Sequence, residues 1–149
     1  MRGPRGVNLL QGETITLAAL AARTASANGT AIQIAGERRR FLIVNAITAS
    51  LTDAGDTLDV YVDFSLDNTT WYNAVHFTQQ AGNGADRTEF AVLDPANPGT
   101  SVINITTDAN AAAVRPALFG PYMRARWAIV DDGGNANSSH TFSVLAYAV

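Results

Sequence analysis

The chain has 149 residues, 47% of them apolar and 15% charged, with a formal net charge of −3. That length suits one domain with a substantial core, and the weakly acidic balance argues against a nucleic-acid footprint. Cysteine is absent, which excludes disulfides, thiolate zinc sites and thiol nucleophiles, and no apolar run approaches the roughly 20 residues that span a bilayer.

Met1–Glu13 (MRGPRGVNLLQGE) sets three Gly, one Pro, Arg2 and Arg5 around Val7, Leu9 and Leu10. Gly and Pro oppose regular structure here. Asn8, Gln11, Gly12 and Glu13 interrupt the apolar run, so a signal peptide is not expected. A free tail gains little from Val7, Leu9 and Leu10. Residues 1–13 are therefore read as an extended arm that docks on a neighbouring subunit, with a frayed terminus as the alternative.

Thr14–Leu17 reads as a strand, and the Ala-rich continuation to Ser26 stays open between helix and strand. Asn28-Gly29 marks a turn. Arg38, Arg39 and Arg40 are the densest charge on the chain, either a patch for an anionic partner or a solvated strand entry beside Glu37. Phe41–Ala49 (FLIVNAITA) is an apolar, β-branched run and reads as a largely buried strand.

Asp53–Asp56 is the turn into a hairpin over Thr57–Phe77. Leu58, Val60, Val62 and Phe64 alternate with Asp59, Tyr61, Asp63 and Ser65, which predicts one core face and one water face. Ser65–Thr70 is the turn, with Asp and Asn suited to it. Trp71, Asn73, Val75 and Phe77 then alternate with Tyr72, Ala74, His76 and Thr78 on the returning strand. Gln79–Thr88 is a Gly-rich loop without the Lys-Ser/Thr of a phosphate loop. Short strands follow at Glu89–Leu93 and Ser101–Thr106, separated by the break DPANPGT. Thr107–Pro121 is mostly irregular, with a possible helical turn over Asp108–Ala113. Tyr122–Val130 is a strand with Met123, Ala125, Trp127 and Ile129 inward and Arg124 and Arg126 outward. Asp131–Ser139 is a polar loop and Thr141–Val149 the closing strand. About eight strands and no long helix predict a single all-β domain over 14–149: a β-sandwich, jelly-roll-like, or a small barrel.

No constellation for catalysis emerges. His76 and His140 are the only histidines, and no Gly-x-Ser-x-Gly elbow accompanies them. Asp59 and Asp63 share a strand face with Cα atoms about 13 Å apart, too far for a close acid–nucleophile pair. The loops with Asp53/Asp56 and Asp131/Asp132 offer carboxylates to a hard cation, but neither has a known ligand spacing, so no metal or cofactor is expected. Ser65–Trp71 is like the Asp-box of propeller sialidases but is one residue short, lacks its Gly and occurs once, so it is read as a turn. Tyr61 and Tyr72 are candidate surface contacts and would suit a sugar-stacking platform.

The layout from Arg23 to Gln79 resembles a recurrent module of tailed-phage virion proteins. The matching pieces are Arg-Thr-Ala-Ser-Ala-Asn-Gly at 23–29, the buried strand, Thr-Leu-Asp-Val-Tyr-Val-Asp at 57–63, Ser-x-Asp-Asn-x-Thr-Trp at 65–71 and His-Phe-Thr-Gln at 76–79. They cover about half the chain. Size, β content and the leading arm also resemble the capsid decoration (cement) proteins of long-tailed phages. That resemblance implies a non-enzymatic homotrimer on the outer capsid surface that clamps the major capsid protein, with no membrane or nucleic-acid partner. It carries over no functional residue, because the matched positions form the fold. A tail, connector or baseplate protein and a carbohydrate-binding module are the alternatives. The low charge fits a surface that meets other protein, or equally a small Ala- and Thr-rich sandwich.

Overall fold

The structure is a computed structural model and describes residues 12–34, 40–96, 108–116, 118–134 and 137–148. Residues 1–11 of the arm expected over 1–13, together with Arg38, Arg39 and the strand expected at 101–106, lie outside the described residues.

Among the described residues eleven strands are present: β1 (Thr14–Arg23), β2 (Ala27–Asn28), β3 (Ile32–Gln33), β4 (Phe41–Ser50), β5 (Thr57–Ser65), β6 (Trp71–His76), β7 (Gln80–Ala81), β8 (Arg87–Leu93), β9 (Ala113–Val114), β10 (Tyr122–Val130) and β11 (His140–Ala148). They form two antiparallel sheets. Sheet I has the order β1-β11-β4-β8, and sheet II the order β2-β10-β5-β6-β9, with β3 also on β10 and β7 on β5.

The order has a simple origin. Take β2 and β3 as one interrupted strand and set the short β7 and β9 aside. Of the eight that remain, first pairs with last (β1–β11), second with seventh (β2/β3–β10), third with sixth (β4–β8) and fourth with fifth (β5–β6). That is one long hairpin wrapped into two layers, the jelly-roll arrangement. Among the described residues the two sheets share no ladder, so the fold is a sandwich rather than a small barrel.

The core forms where the inward faces meet. Phe41, Ile43 and Ile47 of β4, Leu58, Val60, Val62 and Phe64 of β5, Met123, Ala125 and Trp127 of β10, and Phe142 and Val144 of β11 are all buried in it. At one margin the Arg23 guanidinium lies 4.6 Å from the Trp127 ring and 4.4 Å from the Phe142 ring. It also donates to the Phe142 carbonyl at 2.8 Å, so one cation joins β1 to both sheets.

One open reading is resolved and one local expectation is corrected. β1 runs on to Arg23, because Ala21, Ala22 and Arg23 pair with Phe142, Thr141 and His140 of β11; ladder hydrogen bonds outweigh alanine's helix preference. The helical turn expected over Asp108–Ala113 is instead a tight turn with Ala112 at φ 60°, closed by Ala113 N–H to Asn110 O at 3.1 Å. It delivers β9 to the edge of β6.

The hairpin turn is built as its residues predict. Asp67 Oδ1 accepts the amides of Thr69 at 2.8 Å and Thr70 at 2.7 Å and the Ser65 hydroxyl at 3.0 Å. Asn68 takes the left-handed conformation at φ 60°, which asparagine tolerates. The Thr70 and Thr69 amides hold the Asp67 carboxyl at about 2.

Candidate functional site: an interaction surface

The outer faces of the two sheets differ in kind. On sheet II, the residues expected to face water are buried. Asp59, Tyr61, Asp63 and Ser65 of β5 are all at or below 9% exposure. The reason is a cover: residues 108–116 lie across this face and pair with its edge. Arg115 N–H donates to Ala74 O at 2.7 Å and Ala109 N–H to Asn73 Oδ1 at 3.2 Å.

Beneath the cover lies a polar layer. Asp63 Oδ2 accepts Arg126 Nε at 2.8 Å, and Arg124 Nε stands 3.6 Å from the same oxygen. Asn73 Nδ2 donates to Asp63 Oδ1 at 3.1 Å. Arg126 lies 3.8 Å over the Tyr61 ring and Arg124 4.1 Å over Trp71, while Tyr61 also stacks on His76 at 4.1 Å. Burial pushes the Tyr61 hydroxyl above its ordinary range. Arg124 and Arg126 do point away from the core, as expected, but into this layer.

His76 is fully engaged. Its Nε2 meets Asp59 Oδ1 at 2.8 Å and its Nδ1 meets Ala109 O at 2.7 Å. Both partners are acceptors, so no ring nitrogen is left over for a substrate. His140 is fully buried between Ser50 Oγ at 3.0 Å and Ser138 Oγ at 3.3 Å. Burial pulls its pKa down, with Asp56 opposing.

A register shift explains how His76 came here. The ladder between β5 and β6 shifts between Val62 and Asp63, where Asn73 opposes Asp63 and Val75 opposes Val62. Ala74 is the extra residue of this bulge, and it reverses the alternation. His76 therefore shares a face with Asn73 and Trp71, not with Tyr72 and Ala74 as unbroken alternation predicts. Tyr72 opposes Phe64 and so lies on the core side. It lines a recess of about 220 Å³ with Phe64, Ser65, Leu66, Leu118 and Phe119, below the size of an ordinary ligand pocket. Tyr61 and Tyr72, expected as exposed contacts, are thus a buried residue and a half-buried one on opposite faces of the sheet. They cannot form one stacking platform.

Among the described residues, nothing covers the outer face of sheet I. In β4, Phe41, Ile43, Asn45 and Ile47 point inward, which turns Leu42 and Val44 outward. The ladders place Phe90, Val44 and Leu145 in one cross-strand row, and Val92, Leu42 and Tyr147 in the next. Six large side chains on three adjacent strands make a continuous apolar surface. Phe90 is 71% exposed, Val92 45%, Tyr147 41% and Leu145 37%. Gly12 lies at one border of this surface. Its N–H donates to Ala148 O at 2.8 Å, and a Cβ there would stand 3.4 Å from the Tyr147 hydroxyl.

No protein family, curated protein or solved structure matches the chain. The geometry of these two faces therefore carries the argument.

Of the arginine trio, Arg40 is the one described. It is exposed and pairs with Asp94 at 3.3 Å, as a solvated strand entry would. Arg2, Arg5, Val7, Leu9 and Leu10 lie outside the described residues. Sequence reasoning missed the polar layer, although a signal existed. Acids alternate along β5 at Asp59 and Asp63, and arginines alternate along β10 at Arg124 and Arg126. Complementary charges on one face of two strands point to neighbours rather than to water.

Proposed function

We propose that the protein is a structural virion component that decorates and stabilises a phage capsid, binding the major capsid protein and neighbouring copies of itself as a trimer. The observation that carries this reading is the apolar outer face of sheet I. A strand that is apolar on both sides, such as β4, belongs in a sheet covered on both sides. Here one cover is sheet II, and a protein partner supplies the other. An exposed row of Phe90, Val44 and Leu145 beside Val92, Leu42 and Tyr147 is the kind of surface that marks an interface.

Two further features support it. The chain reaches the described fold at Gly12, beside Tyr147, so an arm carrying Val7, Leu9 and Leu10 starts at the border of the apolar face. An arm that orders on a neighbour adds contact area, and arms exchanged within a trimer make detachment require several contacts to break together. The buried layer on sheet II supports a passive role as well, since its charged groups are spent on one another.

The test is imaging of intact particles together with removal of residues 1–11, a truncation that spares the Gly12–Ala148 hydrogen bond. Density for the protein on the outer head surface, with occupancy and capsid heat resistance both reduced by the truncation, is the expected result. Density on the tail would transfer the assembly role to a tail, connector or baseplate protein. Unchanged occupancy and heat resistance would remove the arm from the mechanism.

A further inference from the structure

At one end of the sandwich, the two crossovers that carry the chain between sheets lie side by side. Residues 51–56 lead from β4 to β5, and residues 131–139 from β10 to β11. They meet because the ladders are complete at this end, with Thr57 opposite Val130 and Ser50 opposite His140. Each crossover carries two aspartates, and together they form one group. Asp56, Asp131 and Asp132 each bring a carboxylate oxygen within 4.8 Å of the others. Asp53 lies alongside, since its Oδ2 and Asp132 Oδ1 both crowd the position that a Cβ of Gly134 would occupy. A Cβ at Gly55 would likewise overlap the Asp132 carboxylate, so the absence of side chains at 55 and 134 is what lets the acids approach.

Carboxylates at this spacing repel unless something compensates them. Backbone amides do so in part. Asp132 N–H donates to Asp56 Oδ1 at 3.0 Å, Gly133 N–H to Asp131 Oδ1 at 2.8 Å, and Gly134 N–H to Asp132 Oδ1 at 2.9 Å. These dipoles do not neutralise three charges, and no arginine among the described residues pairs with Asp56, Asp131 or Asp132.

The second observation is independent of the spacing. Asp56 is fully buried at 0% exposure, and its Oδ2 has no hydrogen-bond donor among the described residues. A buried carboxylate oxygen without a donor is costly, and such groups are ordinarily paired or bound to a metal.

We propose that this end of the sandwich binds a calcium ion through the carboxylates of Asp56, Asp131 and Asp132. The donors are all oxygen, which suits a hard cation. Oxygens on opposite sides of calcium lie about 5 Å apart, so all three fit one coordination shell. Magnesium demands a smaller, near-ideal octahedron, which donors drawn from two separate loops do not favour. Calcium takes 6–8 oxygens, so water completes much of the shell, and affinity falls in the range of exposed extracellular sites, ~10⁻⁴–10⁻³ M. The ion would tie together the two crossovers that join the sheets. This assignment does not depend on the assembly role proposed above.

The test uses the full chain, first treated with EDTA and then titrated with calcium chloride, followed by calorimetry and thermal unfolding. One saturable ion per chain and a rise in Tm are expected. Asp56→Asn is isosteric and should weaken calcium binding about tenfold or more. Should that variant fail to fold, Asp132→Asn, at an exposed position, reads the same site and should also weaken binding. No saturable calcium effect at millimolar concentration, an undiminished response in Asp132→Asn, or an equal response to magnesium would each overturn the assignment.

Discussion

Asn45 is the polar residue in the inward row of β4, between Ile43 and Ile47, and its Oδ1 is buried without a donor among the described residues. A buried acceptor left unpaired costs about 1–3 kcal/mol. Asn45→Leu keeps the number and branching of the side-chain heavy atoms and removes the acceptor, so thermal unfolding should show Tm raised by a few degrees if the core accommodates the larger methyl groups. A fall in Tm would mean that the site cannot hold the leucine shape. His140 has the opposite character, because all its needs are met as a neutral ring. One assignment satisfies the chain: Gln80 Nε2 donates to Ser50 Oγ, Ser50 donates to His140 Nδ1, and His140 Nε2–H donates to Ser138. Burial lowers the folded pKa below the ordinary 6.5. Below that pH the unfolded chain takes a proton that the folded chain resists, so stability falls as pH drops from 6.5 toward the folded value. Asp56 and Asp67, whose pKa values are also lowered, lose their contribution only in more acidic solution. Tm measured from pH 8 to pH 5 should therefore decline in the native chain and decline less in His140→Gln. Parallel profiles would remove His140 as the cause.

At the scale of elements, Asn73 is one of the residues that hold the segment over sheet II. It is fully buried. Its amide nitrogen donates to Val75 O at 2.8 Å and Asp63 Oδ1 at 3.1 Å, its Oδ1 accepts Ala109 N–H, and its carbonyl accepts Arg115 Nη1 at 2.8 Å. Asn73→Ala strips the side-chain bonds and leaves buried partners unpaired, at a cost of about 2–4 kcal/mol. Hydrogen exchange should then rise first at Ala109 and Arg115, with the β10–β5 ladder protected longer. Equal loss of protection in both regions would mean that the cover does not open separately. The same region marks where the sequence was legible and where it was not. β5 and β10 were readable because strict alternation reports a strand with one core face. The bulge at Ala74 was not, since inserting one residue leaves composition and local propensity unchanged while reversing every later side chain. The cover was illegible for a related reason. Residues 108–116 have no periodic apolar pattern, and their placement comes from hydrogen bonds to residues 18 to 42 positions away. The Asp56–Asp131–Asp132 group escaped because each loop alone lacks a ligand spacing; only the pairing of β5 with β10 brings them together.

For the molecule as a whole, the asymmetry of the sandwich sets its behaviour. Among the described residues, one outer face is charged but buried beneath its own chain, and the other is apolar and open. A net charge of −3 over 149 residues provides little repulsion between copies, so the open face should govern association. Phe90 is the most exposed member of that face and lies on β8, the edge strand of sheet I. Its side chain contributes little to the fold, so replacing it should leave stability nearly unchanged. A charge placed in the middle of an apolar contact, by contrast, would be desolvated without a partner and weaken association by about 2–4 kcal/mol. Phe90→Asp should thus keep the native Tm within a degree or two and, on the proposed assembly role, shift the protein toward monomer in sedimentation and cut its binding to capsids. If Tm fell as far as association did, Phe90 would belong to the core of the domain. If Phe90→Asp associated as the native chain does, the partner surface would lie elsewhere on the sandwich.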